Sequence, residues 1–413
     1  MKRKRCLYAL LALILAFTAL SGCKANEQTE IYMFLGSPEF KEPTQALCDE
    51  YMKLNPGVKI VFETSSDYMS MFQAKINTGE LPDIFFVPTG LELKNYEQFC
   101  YDLSDQPLAS ALTDSAKASL SYGDKLCGFA QACDLFGLIY NMDILSECGI
   151  TKVPETNEEM TALCEAVSAK GYNVFTTGYK ELWVWKHVLQ PYLNMTGEPA
   201  YDTFSKIGSG EKTMADYSSL YNDFFNFVDL TLQYSGTKPL ECGFDAEISE
   251  MAAGKTAVMI GQGSWAEGEI LRTAPDFNLG FGGYPVSSNA SDCKVVLGTS
   301  QAICVWKDSK VRQAALDFAN WWNTSDYGKS WYADVIITYP PIKDAKFPTS
   351  NLNNDAMKSI DEKGAGRMSC YDIPVAFTDA ALGQVMQVYA AGDITKDEAC
   401  TQLQGKIGEF LND

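Results

Sequence analysis

Two short glycine-containing motifs near residue 260 are of types that bind nucleotides. The sequence GKT at residues 254–256 matches the end of a phosphate-binding P-loop, and GQGSWA at residues 261–266 matches the G-x-G-x-x-A form of the dinucleotide fingerprint. In both kinds of site, backbone N–H groups and a helix N-terminus hold phosphate. The elements around each motif decide whether it can do so here.

The P-loop match is incomplete, and the elements around it are in the wrong order. The first glycine of G-x-x-x-x-G-K-[ST] would fall at position 249, which is Ser249. The hydrophobic pattern predicts a helix over 247–253, before the lysine, and a strand over 256–260, after it. Because a P-loop requires a strand, a loop and then a helix, the sequence argues against one.

The dinucleotide fingerprint lacks its acidic partner. That residue should follow by about 20 positions to bind the ribose, but residues 279–283 read LGFGG. What remains is a strand, a glycine turn and a helix. Ser264 and Glu267 fit an S-x-x-E capping box, which predicts that the helix begins at Trp265. Since ligands bind at the carboxyl ends of strands in open α/β sheets, we expect Trp265 at a crevice, with a core position as the alternative.

Strand and helix patterns alternate along the chain. The first part shows strand patterns at 31–35, 58–62 and 84–87, with helix patterns at 42–54 and 68–79 between them. This order predicts an α/β fold with a mostly parallel sheet flanked by helices. Further strands are predicted at 135–141, 173–177, 256–260, 277–281 and 302–306, and further helices at 156–170, 218–234, 311–323 and 397–411.

The N-terminus is typical of an export signal. Four basic residues at positions 2–5 precede an apolar run over 7–20, which is short for a membrane span and lacks a stop-transfer flank. The run ends in LSGC at residues 20–23, which resembles the lipobox of bacterial lipoproteins. That resemblance implies a signal peptide over 1–22, a lipid on Cys23 and a tether over 23–29. An ordinary signal with a chance cysteine is the alternative.

Composition limits the class of protein. The 413 residues carry a formal net charge of −20, and removal of the basic signal makes the remainder more acidic still. Such a surface disfavours binding to nucleic acid or anionic lipid. The length is suited to two domains rather than one. An aromatic content of 12% allows a ligand site lined by rings, although most of these rings are expected in the core.

Cysteine and histidine counts argue against a metal centre. Of 13 cysteines, Cys6 lies in the signal and Cys23 at the predicted anchor, which leaves 11 and therefore at least one unpaired thiol. No C-x-x-C pair is present, and His187 is the only histidine. A Cys/His zinc site is therefore not expected, and no cofactor is predicted. We interpret His187 as a surface or packing residue.

Taken in order, these landmarks resemble the family 1 extracellular solute-binding proteins of ABC importers, the relatives of maltose-binding protein. The resemblance rests on YMKLNPGVKI at 51–60, GELPDI at 79–84, LIYNMDIL at 138–145, GKTAVM at 254–259, GSW at 263–265 and YP at 284–285. It covers nearly the whole chain after the signal. Each motif alone is weak, but their order and spacing together with the lipobox make the resemblance strong.

The resemblance implies a two-lobed, periplasmic-binding-protein-like fold of type II, with a ligand cleft between the lobes. Each lobe would be a mostly parallel sheet flanked by helices and would be discontinuous in sequence. Lobe I is expected to comprise 30–135 and 298–338, and lobe II to comprise 140–290 and 342–413. Hinge crossings are expected near 134–140, 286–298 and 338–341.

The resemblance also implies which side chains meet the ligand. The candidates are Trp265, Asp134, Glu181, Trp183, Glu39, Asp83 and Tyr371. In a sugar site, rings pack on the apolar face of a pyranose and carboxylates accept hydrogen bonds from its hydroxyls. For Asp134, Glu181 and Asp83, the alternatives are hinge, cap and turn roles.

One departure from the family pattern concerns specificity. After Pro82 and Asp83 the maltose-binding relatives carry an aromatic residue and then an acid, whereas Val87, Pro88 and Gly90 stand in that region here. This difference places maltodextrin specificity in doubt.

The sequence thus predicts a monomeric, non-enzymatic, lipid-anchored subunit of an ABC importer at the outer face of the cell membrane. It would bind a carbohydrate, expected to be an oligosaccharide, and deliver it to the permease. Two alternatives remain. One is a secreted glycoside-active enzyme, since paired carboxylates alone do not exclude it. The other is the same fold with a peptide, polyamine or metal chelate as ligand, although few Arg and His residues disfavour anionic or metal ligands.

Overall fold

Strands and helices alternate through the computed structural model, which describes residues 28–412 apart from Ser66 and Thr237. The predicted signal peptide, the predicted lipid acceptor Cys23 and most of the predicted tether lie outside the described residues, as does the side chain of Glu39. Within the described part of the chain, no helix is both long and apolar enough to cross a membrane.

The twelve strands and seventeen helices of the described residues closely follow the predicted order. The strands are β1 Thr29–Leu35, β2 Val58–Thr64, β3 Ile84–Pro88, β4 Ser121–Tyr122, β5 Lys125–Leu126, β6 Asp134–Phe136, β7 Leu138–Asn141, β8 Asn173–Thr176, β9 Thr256–Met259, β10 Leu279–Gly282, β11 Val296–Gly298 and β12 Gln301–Val305. The helices are α1 Lys41–Leu54, α2 Tyr68–Thr78, α3 Leu93–Tyr96, α4 Pro107–Ala111, α5 Asp114–Leu120, α6 Met142–Glu147, α7 Asn157–Ala169, α8 Val184–Leu193, α9 Ala200–Gly208, α10 Phe224–Tyr234, α11 Phe244–Ala252, α12 Trp265–Thr273, α13 Arg312–Thr324, α14 Asp326–Asp334, α15 Asn351–Lys363, α16 Leu382–Ala390 and α17 Lys396–Asn412.

The first sheet has the strand order β12-β3-β1-β2. Strand β1 pairs in parallel with both β2 and β3, while β12 runs antiparallel to β3. The crossover helices α1 and α2 make the first three strands parallel, because each returns the chain to the same edge of the sheet. The mostly parallel sheet predicted for this part of the chain is therefore confirmed.

The second sheet, with the order β10-β7-β9-β8, differs from the mostly parallel sheet expected of each lobe. Only β8 and β9 are parallel, whereas β7 runs antiparallel to both β9 and β10. Helix α12 connects β9 to β10 as it would connect two neighbouring parallel strands. Because β7 enters directly from the first sheet's side and inserts between them, it runs in the opposite direction, and the prediction is wrong for this sheet.

A break at Gly137 divides the strand predicted at 135–141. A Cβ added there would lie 2.4 Å from the carbonyl oxygen of Gly282, so the close approach requires glycine. On one side of the break, β6 pairs antiparallel with β11, while on the other β7 joins the second sheet. The backbone N–H of Cys133 also donates to Tyr339, at 3.0 Å. Three chain segments therefore run side by side between the two sheets.

The buried apolar side chains form separate cores around the two sheets. One core draws on residues 31–132 and 302–342. A second draws on residues 138–286 and 373–407, and a smaller third cluster includes Leu135, Met259 and Leu352. Helix α13 buries Ala315, Phe318, Ala319 and Trp322 on one face, as its periodicity predicts. Each large ring buried in this way stabilises the fold by about 2–3 kcal/mol.

The described residues contain eleven cysteines, all of them free thiols. Nine are buried, and only Cys148 and Cys400 are partly exposed. Buried cysteines behave as small apolar side chains, so these thiols contribute to packing rather than to covalent cross-linking.

Candidate functional site

The glycines of the turn at 261–264 serve close packing. Gly261 has a φ of +75°, and a Cβ there would lie 2.4 Å from the side chain of Val184. A Cβ on Gly263 would lie 2.2 Å from the carbonyl oxygen of Leu135. Helix α11 precedes GKT and strand β9 follows it, so the inverted order predicted from the sequence is confirmed. Both glycines thus have a structural explanation that involves no phosphate.

The turn is hydrogen-bonded to the crossing strand β6. Ser264 donates its backbone N–H to the carbonyl of Leu135 at 2.9 Å, and its Oγ accepts from the Leu135 N–H at 3.2 Å. Helix α12 begins at Trp265 as predicted, but the capping box is wrong. The Ser264 hydroxyl is engaged by β6, and Glu267 instead accepts hydrogen bonds from Ser350 and Asn353.

Four rings meet where the turn, β6 and α8 converge, and we call them the aromatic group: Phe136, Trp183, His187 and Trp265. The His187 ring contacts the other three edge to face, with centroids 4.8 Å from Phe136, 5.3 Å from Trp183 and 5.6 Å from Trp265. Phe136 and Trp265 also meet edge to face, at 5.2 Å. His187 and Phe136 are buried, whereas both tryptophans are half-buried. The two predicted tryptophans are therefore held together and keep part of each ring accessible.

His187 is a buried packing residue, and its charge state is fixed by its surroundings. Its Nδ1 lies 2.9 Å from the carbonyl oxygen of Gly261. Burial and the Lys186 cation together lower the pKa of His187 to about 3, against the opposing effect of the Gly261 carbonyl. The imidazole is therefore neutral at physiological pH, and Nδ1 carries the proton that is donated to Gly261.

The indole N–H of Trp265 is held by a relay that sequence reasoning missed. Trp265 Nε1 donates to Gln262 Oε1 at 3.0 Å, and Gln262 Nε2 donates to Glu247 Oε2 at 2.6 Å. Gln262 and Glu247 are both fully buried. A signal existed for Glu247, because it shares the apolar face of α11 with Ile248 and Met251.

Three charged residues, Lys186, Asp379 and Asp134, lie beside the aromatic group at the start of α8, and we call them the charged group. Lys186 forms an ion pair with Asp379 at 2.5 Å, and its Nζ lies 4.8 Å from the centre of the Tyr371 ring. Asp134 accepts a hydrogen bond from the Ser300 hydroxyl at 2.6 Å. Burial raises the pKa of Asp134 to about 6, although the hydroxyl and backbone N–H of Ser300 and the Lys186 cation oppose the shift. At neutral pH, Asp134 is therefore an ionised acceptor.

Segments that pack with different cores touch beside this charged group. Gly90 has a φ of +66°, and a Cβ there would lie 2.2 Å from the carbonyl oxygen of Tyr371. The backbone N–H of Val375 donates to Glu92 Oε1 at 3.1 Å. Segment 90–92 follows a strand of the first sheet, whereas 371–375 packs with the second core. Tyr371 is thus placed where the two halves of the molecule meet.

A cavity of about 470 Å³ lies away from these groups, at the C-terminal end of α8. Its walls include Asn194, Glu198, Lys294 and Arg367. None of the predicted ligand residues lines it, so it is distinct from the region where the aromatic and charged groups meet.

Comparison with known proteins identifies the family. Residues 46–358 match the family described as bacterial extracellular solute-binding proteins, which is well over half of the chain. The chain belongs to this family. The resemblance predicted from the sequence is therefore confirmed.

This solute-binding protein has relatives whose names refer to sugars. It is 20% identical over 323 residues to the multiple sugar-binding protein of Streptococcus mutans, covering 76% of each chain. Among solved structures, it is similar to the solute-binding protein RafE in complex with raffinose, with a TM-score of 0.81, 18% identity and coverage of 93% of this chain and 100% of that one. A sugar transporter from Bacillus licheniformis in complex with stachyose gives a TM-score of 0.76 at 18% identity, with coverage of 92% and 100%. The two-lobed fold predicted from the sequence is confirmed by these likenesses.

The predicted ligand residues of this solute-binding protein divide into two sets. Trp265, Trp183, Asp134 and Tyr371 converge on α8, in or beside the aromatic and charged groups. Asp83 lies apart from them, at the amino end of β3, where its carboxylate accepts from the Tyr32 N–H at 2.8 Å and the Ser309 hydroxyl at 2.6 Å. These contacts fit the turn role that was its alternative.

The remaining two predicted ligand residues, Glu181 and Glu39, do not belong to the aromatic group. Glu181 is half-buried against Gly243, where a Cβ would lie 2.6 Å from its Oε1, and its charge contributes to raising the pKa of Glu247. Glu181 therefore lies near Glu247, at the end of the hydrogen-bonded series that is farthest from Trp265. Glu39 belongs to the short 3-10 helix Pro38–Phe40 that follows β1, and its side chain lies outside the described residues.

Proposed function

We propose that this solute-binding protein binds an oligosaccharide in the cleft between two lobes and releases it unchanged to the permease of an ABC importer. The observation that carries the proposal is the convergence of two half-buried tryptophans, Trp183 and Trp265, beside an ionised acceptor, Asp134. It also rests on relatives whose names refer to multiple sugars, raffinose and stachyose.

The chemistry of the site suits a sugar. A pyranose ring has an apolar face that packs on an indole, and its hydroxyls donate to a carboxylate. Lys186, neutralised by Asp379, supplies a fixed donor beside Asp134 without adding net charge. The site thus combines aromatic surface with balanced polar groups, as a neutral polyhydroxylated ligand requires.

The proposed lobes follow the distribution of the buried cores. Lobe I comprises 30–135 and 298–338, and lobe II comprises 140–290 and 342–413, with crossings near 134–140, 286–298 and 338–341. The paired strands β6 and β11 and the hydrogen bond from Cys133 to Tyr339 support these crossings. Asp134 lies on a crossing and Trp265 on a turn bonded to one, so closure of the lobes would bring both onto the ligand.

We further propose that residues 1–22 are removed and that a lipid on Cys23 holds a monomer at the outer face of the cell membrane. The apolar run and the LSGC sequence support this assignment. Two or more acyl chains would anchor the protein stably. The permease is the expected protein partner, and neither catalysis nor a cofactor is proposed.

Calorimetric titration tests the proposal. A chain beginning at residue 24 is titrated with raffinose, stachyose, maltotriose and the monosaccharides galactose and glucose, in wild-type form and as Trp265→Ala. We expect binding of at least one oligosaccharide, and a loss in the variant of about 2 kcal/mol, or roughly 30-fold. Trp321→Ala is the matched control, since Trp321 is also half-buried but packs with the first core.

Two results would contradict the proposal. One is an oligosaccharide affinity that Trp265→Ala leaves unchanged while the variant remains folded, since Trp265 would then not contact the sugar. The other is cleavage of the sugar on prolonged incubation, measured by chromatography of the recovered ligand, because a transport subunit releases its ligand intact.

A further inference from the structure

We propose that Glu247 is a positioning residue for the ligand site, acting through Gln262 to fix the orientation of the Trp265 ring. The inference rests on the proposed function in so far as Trp265 contacts sugar. The positioning itself is a property of the protein without ligand.

The relay begins with two hydrogen bonds in series. Gln262 Oε1 accepts from the Trp265 indole N–H at 3.0 Å, and Gln262 Nε2 donates to Glu247 Oε2 at 2.6 Å. A glutamine amide has one accepting end and one donating end. Because Glu247 offers an acceptor, it selects the amide orientation that turns the oxygen toward the indole.

Removing that acceptor would leave the amide free to rotate. In the reversed orientation, the amide NH₂ would face the indole N–H, donor against donor, and Trp265 would lose its partner. A buried donor without an acceptor costs about 1–3 kcal/mol. The Trp265 ring, which is only half-buried, would then relax toward other rotamers.

Glu247 itself has little freedom to move. It is fully buried on the apolar face of α11. Its carboxyl packs against Gly178, which has a φ of +60°, and a Cβ on that glycine would lie 2.3 Å from Glu247 Oε2. The relay is therefore anchored at one end by a side chain that the packing holds in place.

The surroundings favour a neutral carboxyl group. Burial raises the pKa of Glu247 well above its usual range; the Gln262 amide opposes this, while the nearby carboxylates Glu250 and Glu181 add to it. Glu247 Oε1 has no hydrogen-bond partner among the described residues. Oε2 is the oxygen that accepts from Gln262, at 2.6 Å. A glutamine at this position would reproduce that accepting oxygen.

Fluorine NMR of 5-fluorotryptophan-labelled protein tests the relay without any ligand. The chain has 7 tryptophans, and loss of one resonance in Trp265→Phe assigns the signal of interest. Glu247→Met removes the acceptor at similar volume, Glu247→Gln keeps an accepting oxygen, and Glu250→Met is the matched control at an exposed position of the same helix. We expect the Trp265 resonance to shift or broaden in Glu247→Met alone.

Affinity for the best oligosaccharide gives the second measurement. We expect roughly tenfold weaker binding in Glu247→Met and less than a twofold change in Glu247→Gln and Glu250→Met. If Glu247→Met does not fold, Gln262→Met interrupts the relay from its other side and should move the same resonance. An unmoved Trp265 resonance in a folded Glu247→Met or Gln262→Met protein would overturn the proposal, as would equal shifts in Glu247→Gln and Glu247→Met.

The two proposals fail separately. If wild-type protein binds no sugar but the resonance moves as expected, the relay stands and the proposed function fails. If sugar binds and Trp265→Ala weakens it while the resonance stays in place, the proposed function stands and the relay is wrong.

Discussion

The Trp265 ring meets the His187 ring edge to face, with 5.6 Å between their centroids. The same imidazole contacts Trp183 at 5.3 Å. One buried side chain of α8 therefore supports both of the tryptophans proposed to contact sugar. Since His187 Nδ1 also bonds to the carbonyl of Gly261, it ties α8 to the glycine turn that carries Trp265.

The chemistry of His187 leads to the first prediction. Its folded-state pKa of about 3 lies below the unfolded value of 6.5, so the folded protein disfavours protonation. The stability contributed by the neutral ring is present above about pH 6.5 and is lost as the pH falls toward 3. Because the chain has one histidine, the imidazole gives a single set of NMR signals. We expect these signals not to titrate between pH 7.5 and 5, and a midpoint near 6.5 in the folded protein would contradict the buried placement.

Asp134 leads to a prediction about binding. Its pKa of about 6 means that the carboxylate is ionised at pH 7.5 and largely protonated at pH 5. If the ionised form accepts hydrogen bonds from sugar hydroxyls, affinity should fall by roughly tenfold between pH 7 and pH 5. Asp134→Asn should bind weakly with a flat pH profile. Calorimetry across this range tests the prediction, and equal slopes in wild type and variant would assign the pH dependence to another group.

The sequence predicted those parts of the site that depend on local pattern. Helix α12 begins at Trp265 as predicted, although the capping box from which this start was predicted does not form. The parallel arrangement of β1, β2 and β3 follows from alternating elements. The convergence of Trp265, Trp183 and Asp134 was implied by family resemblance, because these residues lie far apart in the chain.

The predictions that proved wrong concern residues whose hydrogen-bonding groups are taken by segments distant in sequence. Ser264 fits a capping box locally, but β6 lies close enough to take its hydroxyl, and α15 takes the Glu267 carboxylate. Gln262 was invisible as a functional residue because its two partners come from different helices. Strand β7 is antiparallel because the chain enters the second sheet from a crossing, which hydrophobic alternation does not encode.

The cysteines give a prediction that separates packing from cross-linking. All eleven in residues 28–412 are free thiols, and nine are buried. In a chain that begins at residue 24, we expect a thiol reagent such as DTNB to react slowly with native protein and to titrate all eleven thiols after denaturation. A substantially lower count under denaturing, non-reducing conditions would show that disulfides form.

Glu267 leads to a prediction about stability at neutral pH. Burial raises the pKa of Glu267 to about 7, against the opposing hydrogen bonds from Ser350, the Leu352 backbone and Asn353. Because the folded-state value exceeds the unfolded value of 4.5, this group's contribution is full below about pH 4.5 and is lost as the pH rises through 7. Glu267→Gln keeps an accepting oxygen but cannot ionise. Relative to wild type, the free energy of unfolding of Glu267→Gln should therefore increase by up to about 1.4 kcal/mol for each pH unit between about 4.5 and 7.

Urea unfolding at pH 5, 6, 7 and 8 measures this difference. Glu269→Gln is the matched control, because Glu269 lies on the same helix and is paired with Arg272 near the surface. We expect the free energy of unfolding of Glu269→Gln to run parallel to wild type across the four pH values. If Glu267→Gln also runs parallel, Glu267 is ionised throughout. The hydrogen bonds from Ser350 and Asn353 would then be made to a carboxylate, and the stability of the contact between α12 and α15 would not change with pH in this range.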